Sequence, residues 1–182
     1  MIVGLTGPAG AGKTVAVKYL TEERGFELTT LSDFVKKEAT SRGLELIRPN
    51  LQSVGNDLRK HHGPGAMGVL AKEEIANDPD KNWVVDGIRN PAEIEALKEL
   101  DDYRTIAIIA NLPTLIERLK SRKDAKDKGT DEELKAQILK ELGGKEPLDG
   151  LRIDLCIEAS DHIVENEGTI EELLDNLEIA IS

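Results

Sequence analysis

Aromatic side chains are scarce in this 182-residue chain: two Phe, two Tyr and one Trp make up 3% of it. Leu, Ile, Val and Ala must therefore supply most of the core, and the length suits one α/β domain. The single cysteine, Cys156, excludes an intrachain disulfide scaffold and fits a reducing compartment. It lies in Leu151-Arg152-Ile153-Asp154-Leu155-Cys156-Ile157, where it reads as a small buried hydrophobe rather than a nucleophile. Basic residues are outnumbered, 24 Lys and Arg against 35 Asp and Glu, for a net charge of −11. Such a balance argues against a general nucleic-acid or anionic-membrane binder. Phosphate must be held by a local cluster of basic groups and N–H donors, against the field of the rest of the molecule. Long apolar runs are missing too, and Gly7 and Pro8 interrupt the opening one before it reaches signal-peptide length. The expectation is a cytoplasmic protein, monomer or homodimer.

Against these absences stands one complete pattern. Residues 7–14 read Gly7-Pro8-Ala9-Gly10-Ala11-Gly12-Lys13-Thr14, a full match to G-x-x-x-x-G-K-[ST]. A short apolar run precedes it and a stretch able to form a helix follows, which is the strand, turn and helix order that the chemistry needs. Glycines let successive backbone N–H groups point at a phosphate, and the helix N-terminus adds its positive end. Lys13 can reach the terminal phosphates of a bound triphosphate such as ATP, and the Thr14 hydroxyl suits Mg2+. The chain is expected to bind a nucleoside triphosphate.

Apolar runs at residues 1–5, 27–31, 83–85, 105–110 and 162–165 read as five strands, with room for crossover helices between most of them. Capping-box spacings mark helix starts at Asn90-Pro91 with Glu93, Thr130 with Glu133, and Thr169 with Glu172. Gly143-Gly144 ends the second of these helices. The reading is a parallel sheet covered by helices, with the phosphate loop after its first strand. Two inserts stand out within a single domain spanning 1–182. Residues 34–78 are mostly helical and longer than one crossover needs. Residues 123–145 are rich in charge and glycine and look like a solvated lid.

Strand ends facing the loop should carry the remaining machinery. Asp33, closing the second strand candidate Thr29-Thr30-Leu31-Ser32-Asp33, could hold a substrate hydroxyl or act as its base, hold a phosphate-bound water, help organise the magnesium shell, or be an ordinary helix-start aspartate. Asp86 ends the apolar run Trp83-Val84-Val85, the Walker B arrangement in which it would support magnesium; a turn aspartate before Gly87 is the plain alternative. Arg89 could reach a phosphate of the second substrate or lie in solvent beside the turn. Arg118 and Arg122, four apart, share one helix face at the lid's edge, suited to a base and a moving phosphoryl group or to pairing with Glu117 and Asp124. Arg42, Arg48 and Arg59 are spread through the helical insert and could hold the acceptor's phosphate or form a surface cluster. The adjacent His61 and His62 do not make a metal site, because neighbouring helical residues diverge.

Together these residues resemble the nucleoside monophosphate kinase-like branch of P-loop proteins, which includes adenylate kinase and dephospho-coenzyme A kinase. Residues 4–14 look especially like the latter. The stretch Asp86-Gly87-Ile88-Arg89-Asn90-Pro91-Ala92-Glu93-Ile94 is similar to a group of archaeal adenylate kinase-like proteins. The resemblance implies an α/β three-layer P-loop NTPase fold with a five-stranded parallel sheet, a helical acceptor-binding insert and a small lid. It implies ATP and Mg2+ as cofactors and a small nucleotide as acceptor. In such kinases an aspartate after the second strand contacts the acceptor, as Asp33 would here with Arg42 and Arg59, while arginines at the lid base bind ATP, as Arg118 and Arg122 would. The lid itself, Lys123-Asp124-Ala125-Lys126-Asp127, departs from the arginine-rich pattern of the archaeal group. The function expected is phosphoryl transfer to a nucleoside monophosphate or dephospho-coenzyme A. An ATPase or nucleotide-dependent switch acting with a protein partner is the alternative.

Overall fold

The computed structural model describes residues 1–121, 129–144 and 150–182. Five strands, β1 (Ile2–Thr6), β2 (Glu27–Thr30), β3 (Trp83–Ile88), β4 (Tyr103–Ile109) and β5 (His162–Glu165), form one sheet in the order β2-β3-β1-β4-β5. Every neighbouring pair is parallel. The helix α1 (Lys13–Glu22) joins β1 to β2. Three helices, α2 (Leu31–Ser41), α3 (Arg48–His62) and α4 (Ala66–Ala76), fill the long interval before β3. Then come α5 (Pro91–Leu97), α6 (Leu112–Ser121), α7 (Asp131–Leu142), α8 (Ile153–Glu158) and α9 (Ile170–Ile181).

Alternation along the strands divides the core between two helical layers. Val3 and Leu5 of β1, Val84 of β3, and Ile106 and Ile108 of β4 enter one cluster with Ala16, Leu20, Leu119, Leu173 and Leu177 of the helices. Ile2, Trp83 and Val85 point the other way, into a cluster with Leu31, Met67, Ile75, Ile94, Leu97 and Cys156. Each fully buried Leu or Ile contributes about 2 kcal/mol of transfer free energy, so both faces are held. This is a three-layer α/β P-loop NTPase fold. Cys156 is wholly buried on α8, and burial pushes its thiol up to about 12, which suits packing and not chemistry.

The caps read from sequence are present: α5, α7 and α9 each carry a complete capping box, and Gly143 ends α7 in the left-handed conformation. Two expectations change. Residue 31 and Asp33 belong to α2, because β2 stops at Thr30 and the helix begins without a loop. The stretch expected as a solvated lid also divides. Asp131–Leu142 is α7, and its Leu134 and Ile138, four apart on one face, are 1% and 0% exposed in the main core. Its charges occupy the outer face of a packed helix. Residues 123–128 and 145 lie outside the described residues.

Candidate functional site

The glycines of the loop are set by geometry. Gly7, Gly10 and Gly12 have φ of 132°, 87° and 110°, which side-chain-bearing residues rarely adopt. A Cβ on Gly7 would also overlap the Ile108 carbonyl oxygen, and one on Gly12 would overlap Nδ2 of Asn166. The loop therefore lies directly on β4 and on the segment after β5, with Pro8 and Ala11 buried and Ala9 half-buried. Lys13 opens α1, and its Nζ folds back to donate to the carbonyls of Gly7 at 2.5 Å and Pro8 at 2.9 Å. Thr14 follows, exposed. No acidic residue stands in the first turn of α1, and its Gly12 N-cap provides no side-chain bond. Its positive end stays open to an anion.

Asp86 lies next to the entry of this loop. Leu5 pairs with Asp86 across β1 and β3, then the register skips Gly87 so that Thr6 pairs with Ile88. Gly87 takes φ 86° at this bulge. The Asp86 Oδ1 atom is buried and has no hydrogen-bond partner among the described residues. A buried acceptor left unpaired is costly, and a hard cation or its water shell would satisfy it. The chemistry of the donor set agrees. Among the described residues no three His, Cys, Asp or Glu side chains gather to cage a metal. Mg2+ held here would complete its shell from phosphate oxygens, Thr14 and water, as that ion commonly does.

On the opposite side of the loop stands Arg118, in the last turn of α6. Its Nη1 is buried without a partner among the described residues, while Nη2 lies 3.4 Å from Oδ1 of Asn166. Asn166 follows β5, is 7% exposed, and donates from Nδ2 to the Ala11 carbonyl at 2.8 Å. Its neighbour Glu167 accepts from the backbone and side chain of Asn111 and from Thr114, fixing the start of α6. The Asn111 N–H, then Thr114, hold the Glu167 carboxyl below its ordinary range. Sequence reading missed Asn166 and Glu167. A polar triplet Asn-Glu-Gly after a strand was the only signal, and it is common to many turns.

The acceptor candidates are distributed unevenly. Asp33, in the first turn of α2, is half-exposed and pairs with Lys36 at 2.6 Å. Arg42 stands at the other end of that helix, about 13 Å along its axis, and bonds Glu38 and Asp57 at 2.7 Å each. The structure thus does not bring Arg42 to Asp33. Arg59 on α3 is 11% exposed and faces Glu93, its Nη2 3.7 Å from Oε1, with Nε unpartnered among the described residues. The Arg89 side chain is exposed although its backbone is clamped: its N–H donates to Glu93 at 2.8 Å and its carbonyl accepts from Arg152 N–H at 2.8 Å. Arg122 lies outside the described residues. Asp86, paired with Leu5, and Arg118, linked through Asn166 to Ala11, border the loop that runs into Lys13, and Asp33 and Arg89 follow the adjacent strands β2 and β3.

Comparison with known proteins agrees with this fold. Residues 3–140 match the AAA domain family. A UPF0200 protein of Aeropyrum pernix is 31% identical over 176 residues, covering 95% of this chain and 88% of that one. The chain belongs to the UPF0200 family and carries an AAA domain. Another relative, the UPF0200/UPF0201 protein of Archaeoglobus fulgidus, is 33% identical over 180 residues and 97% of this chain. The chain spans about half, 53%, of that longer UPF0200 relative. Among solved structures, TT1252 from Thermus thermophilus superposes with a TM-score of 0.64 at 18% identity, over 98% of this chain and 95% of its own. Shikimate kinase from Aquifex aeolicus gives 0.58 at 13% identity, over 100% and 96%. At these identities the likeness is one of fold alone, the three-layer P-loop α/β framework of this chain.

Proposed function

We propose that this chain is an ATP-dependent phosphotransferase acting on a small phosphorylated nucleotide, a nucleoside monophosphate or dephospho-coenzyme A. One observation carries the reading. Around a phosphate loop with Lys13 folded over it, Asp86 on one side and Arg118 on the other each hold a buried polar atom with no partner among the described residues. An acceptor atom and a cation, both desolvated and both beside the loop, suit a magnesium-bound triphosphate. The acceptor side is supported by α2–α4, which carry Asp33 and Arg59, and by Arg89 after β3.

In this reading Thr14 and Asp86 would hold Mg2+, which would supply neutralising charge for the triphosphate. Lys13 leaves the Gly7 and Pro8 carbonyls for the phosphates, and the loop N–H groups bind their oxygens. Arg118, and Arg122 with it, steady the triphosphate as charge shifts to the leaving oxygen. A phosphate acceptor attacks without a strong base. A hydroxyl acceptor needs one, and we assign that role to Asp33 once Lys36 releases it.

ADP release from MgATP, measured with and without nucleoside monophosphates, dephospho-coenzyme A and hydroxyl acceptors such as shikimate, tests the proposal. Stimulation by a phosphorylated nucleotide is expected. Stimulation only by a hydroxyl compound moves the acceptor class. Turnover indifferent to all of them transfers the chain to the ATPase or switch reading.

A further inference from the structure

We infer that Asn166 is a positioning residue that sets the orientation of the phosphate loop and joins it to Arg118, an inference that rests on the nucleotide reading above. Its side-chain amide is fixed in direction. Nδ2 donates to the Ala11 carbonyl at 2.8 Å, so Oδ1 must face away from the loop, and there it meets Arg118 Nη2. The backbone is fixed as well, since Asn166 N–H donates to the Ile109 carbonyl at the end of β4 at 2.8 Å. One buried residue thus touches the loop, the end of β4 and the last turn of α6.

The consequence for the loop follows from peptide planarity. In a trans peptide the carbonyl of Ala11 and the N–H of Gly12 point in opposite directions. Drawing the Ala11 oxygen to Asn166 aims the Gly12 N–H away from the β5–α9 segment, to the side that the nucleotide reading assigns to phosphate. Gly12 admits this arrangement because it lacks a Cβ, which would overlap Asn166 Nδ2. The same amide presents its carbonyl dipole to a guanidinium whose other terminal nitrogen is buried and unpartnered among the described residues. Asn166 therefore holds the donor on the loop and the cation above it in one relation, without touching ligand itself.

The test pairs a measurement on the ligand-free protein with one on the nucleotide. Asn166→Asp places a carboxylate oxygen against the Ala11 carbonyl while keeping an acceptor for Arg118; Asn166→Ser shortens the side chain and removes both contacts with less electrostatic conflict. In the absence of nucleotide, the Gly12 amide resonance should shift in both variants, and the shift should be larger for Asp. By calorimetry, MgATP affinity should fall at least tenfold in Asn166→Asp. In a double-mutant cycle the loss should be less than additive with Arg118→Ala. If Asn166→Asp does not fold, the Ser variant carries the same measurements with a smaller expected loss. An unshifted Gly12 amide, or MgATP affinity within twofold of wild type, overturns the inference. A wild-type chain that binds no MgATP overturns the nucleotide reading instead, and the Gly12 resonance still reports whether Asn166 orients the loop.

Discussion

Arg59 and Glu93 face one another in the interior, Nη2 to Oε1 at 3.7 Å, with side chains 11% and 2% exposed. Glu93 also accepts from the N–H groups of Arg89 at 2.8 Å and Asn90 at 3.1 Å through its other oxygen. One buried carboxyl thus links α3 of the helical insert to the turn that presents Arg89. That turn is held from its far side too, by Asn90 Nδ2 donating to the Gly150 carbonyl at 2.9 Å.

Removing the carboxyl should therefore be felt in stability. Glu93→Ala leaves two backbone donors unpaired and a nearly buried guanidinium without its countercharge, a loss of about 3 kcal/mol. Urea unfolding gives the value. A change within about 0.5 kcal/mol, the range of ordinary surface substitutions, would show that water replaces Glu93 at no cost.

The same carboxyl gives a pH dependence with a definite sign. Burial pushes Glu93 up, outweighing the opposing pull of the Arg89 N–H, Arg59 and the Asn90 N–H. In the window between the ordinary glutamate range and this raised value, the folded chain holds a proton that the unfolded chain does not. Stability from this group is present below the window and is lost as pH rises through it. Compared with Glu93→Gln, which cannot titrate, wild type should gain stability as pH falls through that window. Parallel unfolding midpoints for the two proteins across the window would show that Glu93 does not titrate there.

Lys13→Ala should abolish most MgATP binding while leaving the fold intact. Its Nζ donates to the Gly7 and Pro8 carbonyls of the loop, and Lys13 belongs to neither core cluster. A charge-assisted phosphate contact is worth about 1.5–3 kcal/mol, or roughly ten- to a hundredfold in affinity. Calorimetric titration of the two folded proteins measures it, and equal affinities would remove Lys13 from the site.

Asp86 is expected to trade stability for function. Its Oδ1 is buried and unpartnered among the described residues, so Asp86→Asn relieves an unfavourable charge and should leave the ligand-free melting temperature unchanged or raised. The magnesium dependence of turnover should weaken markedly in the same variant, because the amide is a poorer ligand for a hard cation. An unchanged magnesium titration would return Asp86 to the role of a turn residue.

What could be read from the sequence was what local chemistry decides. The loop from Gly7 to Thr14 needs its glycines and lysine at fixed spacing, and Asn90, Thr130 and Thr169 cap helices through residues two or three positions on. Features made by folding were harder to see. The cap and the apolar pattern marked the helix after Thr130, but not that Leu134 and Ile138 enter the core, because only docking against α6 and α8 buries that face. Asn166 meets Ala11 across 155 positions of sequence, and no local pattern announces such a contact. Arg42 looked like an acceptor ligand until the packing of α2 on α3 brought Asp57 to join Glu38, four residues back on its own helix, as its partners. Hydrogen bonds from Arg42 then hold both carboxyls below their ordinary range.

Arg118 and Arg89 should separate the two substrates. Arg118 presents a buried Nη1, unpartnered among the described residues, beside the loop, so Arg118→Ala should weaken MgATP binding by about tenfold, the loss of one charged hydrogen bond. Arg89 lies at the far end of β3, with its backbone clamped by Glu93 and Arg152 and its side chain exposed. A clamped backbone fixes the root of the exposed guanidinium, so less freedom is lost when its fork grips an anion. Arg89→Ala should then raise the KM for the phosphorylated acceptor by about tenfold while leaving MgATP affinity unchanged. Calorimetry on each variant, run beside steady-state kinetics with the stimulating acceptor, measures both arms. If both substitutions weaken MgATP alone, the two arginines serve one ligand. The acceptor must then be sought among the remaining groups of α2 and α3, with Asp33 and Arg59 first.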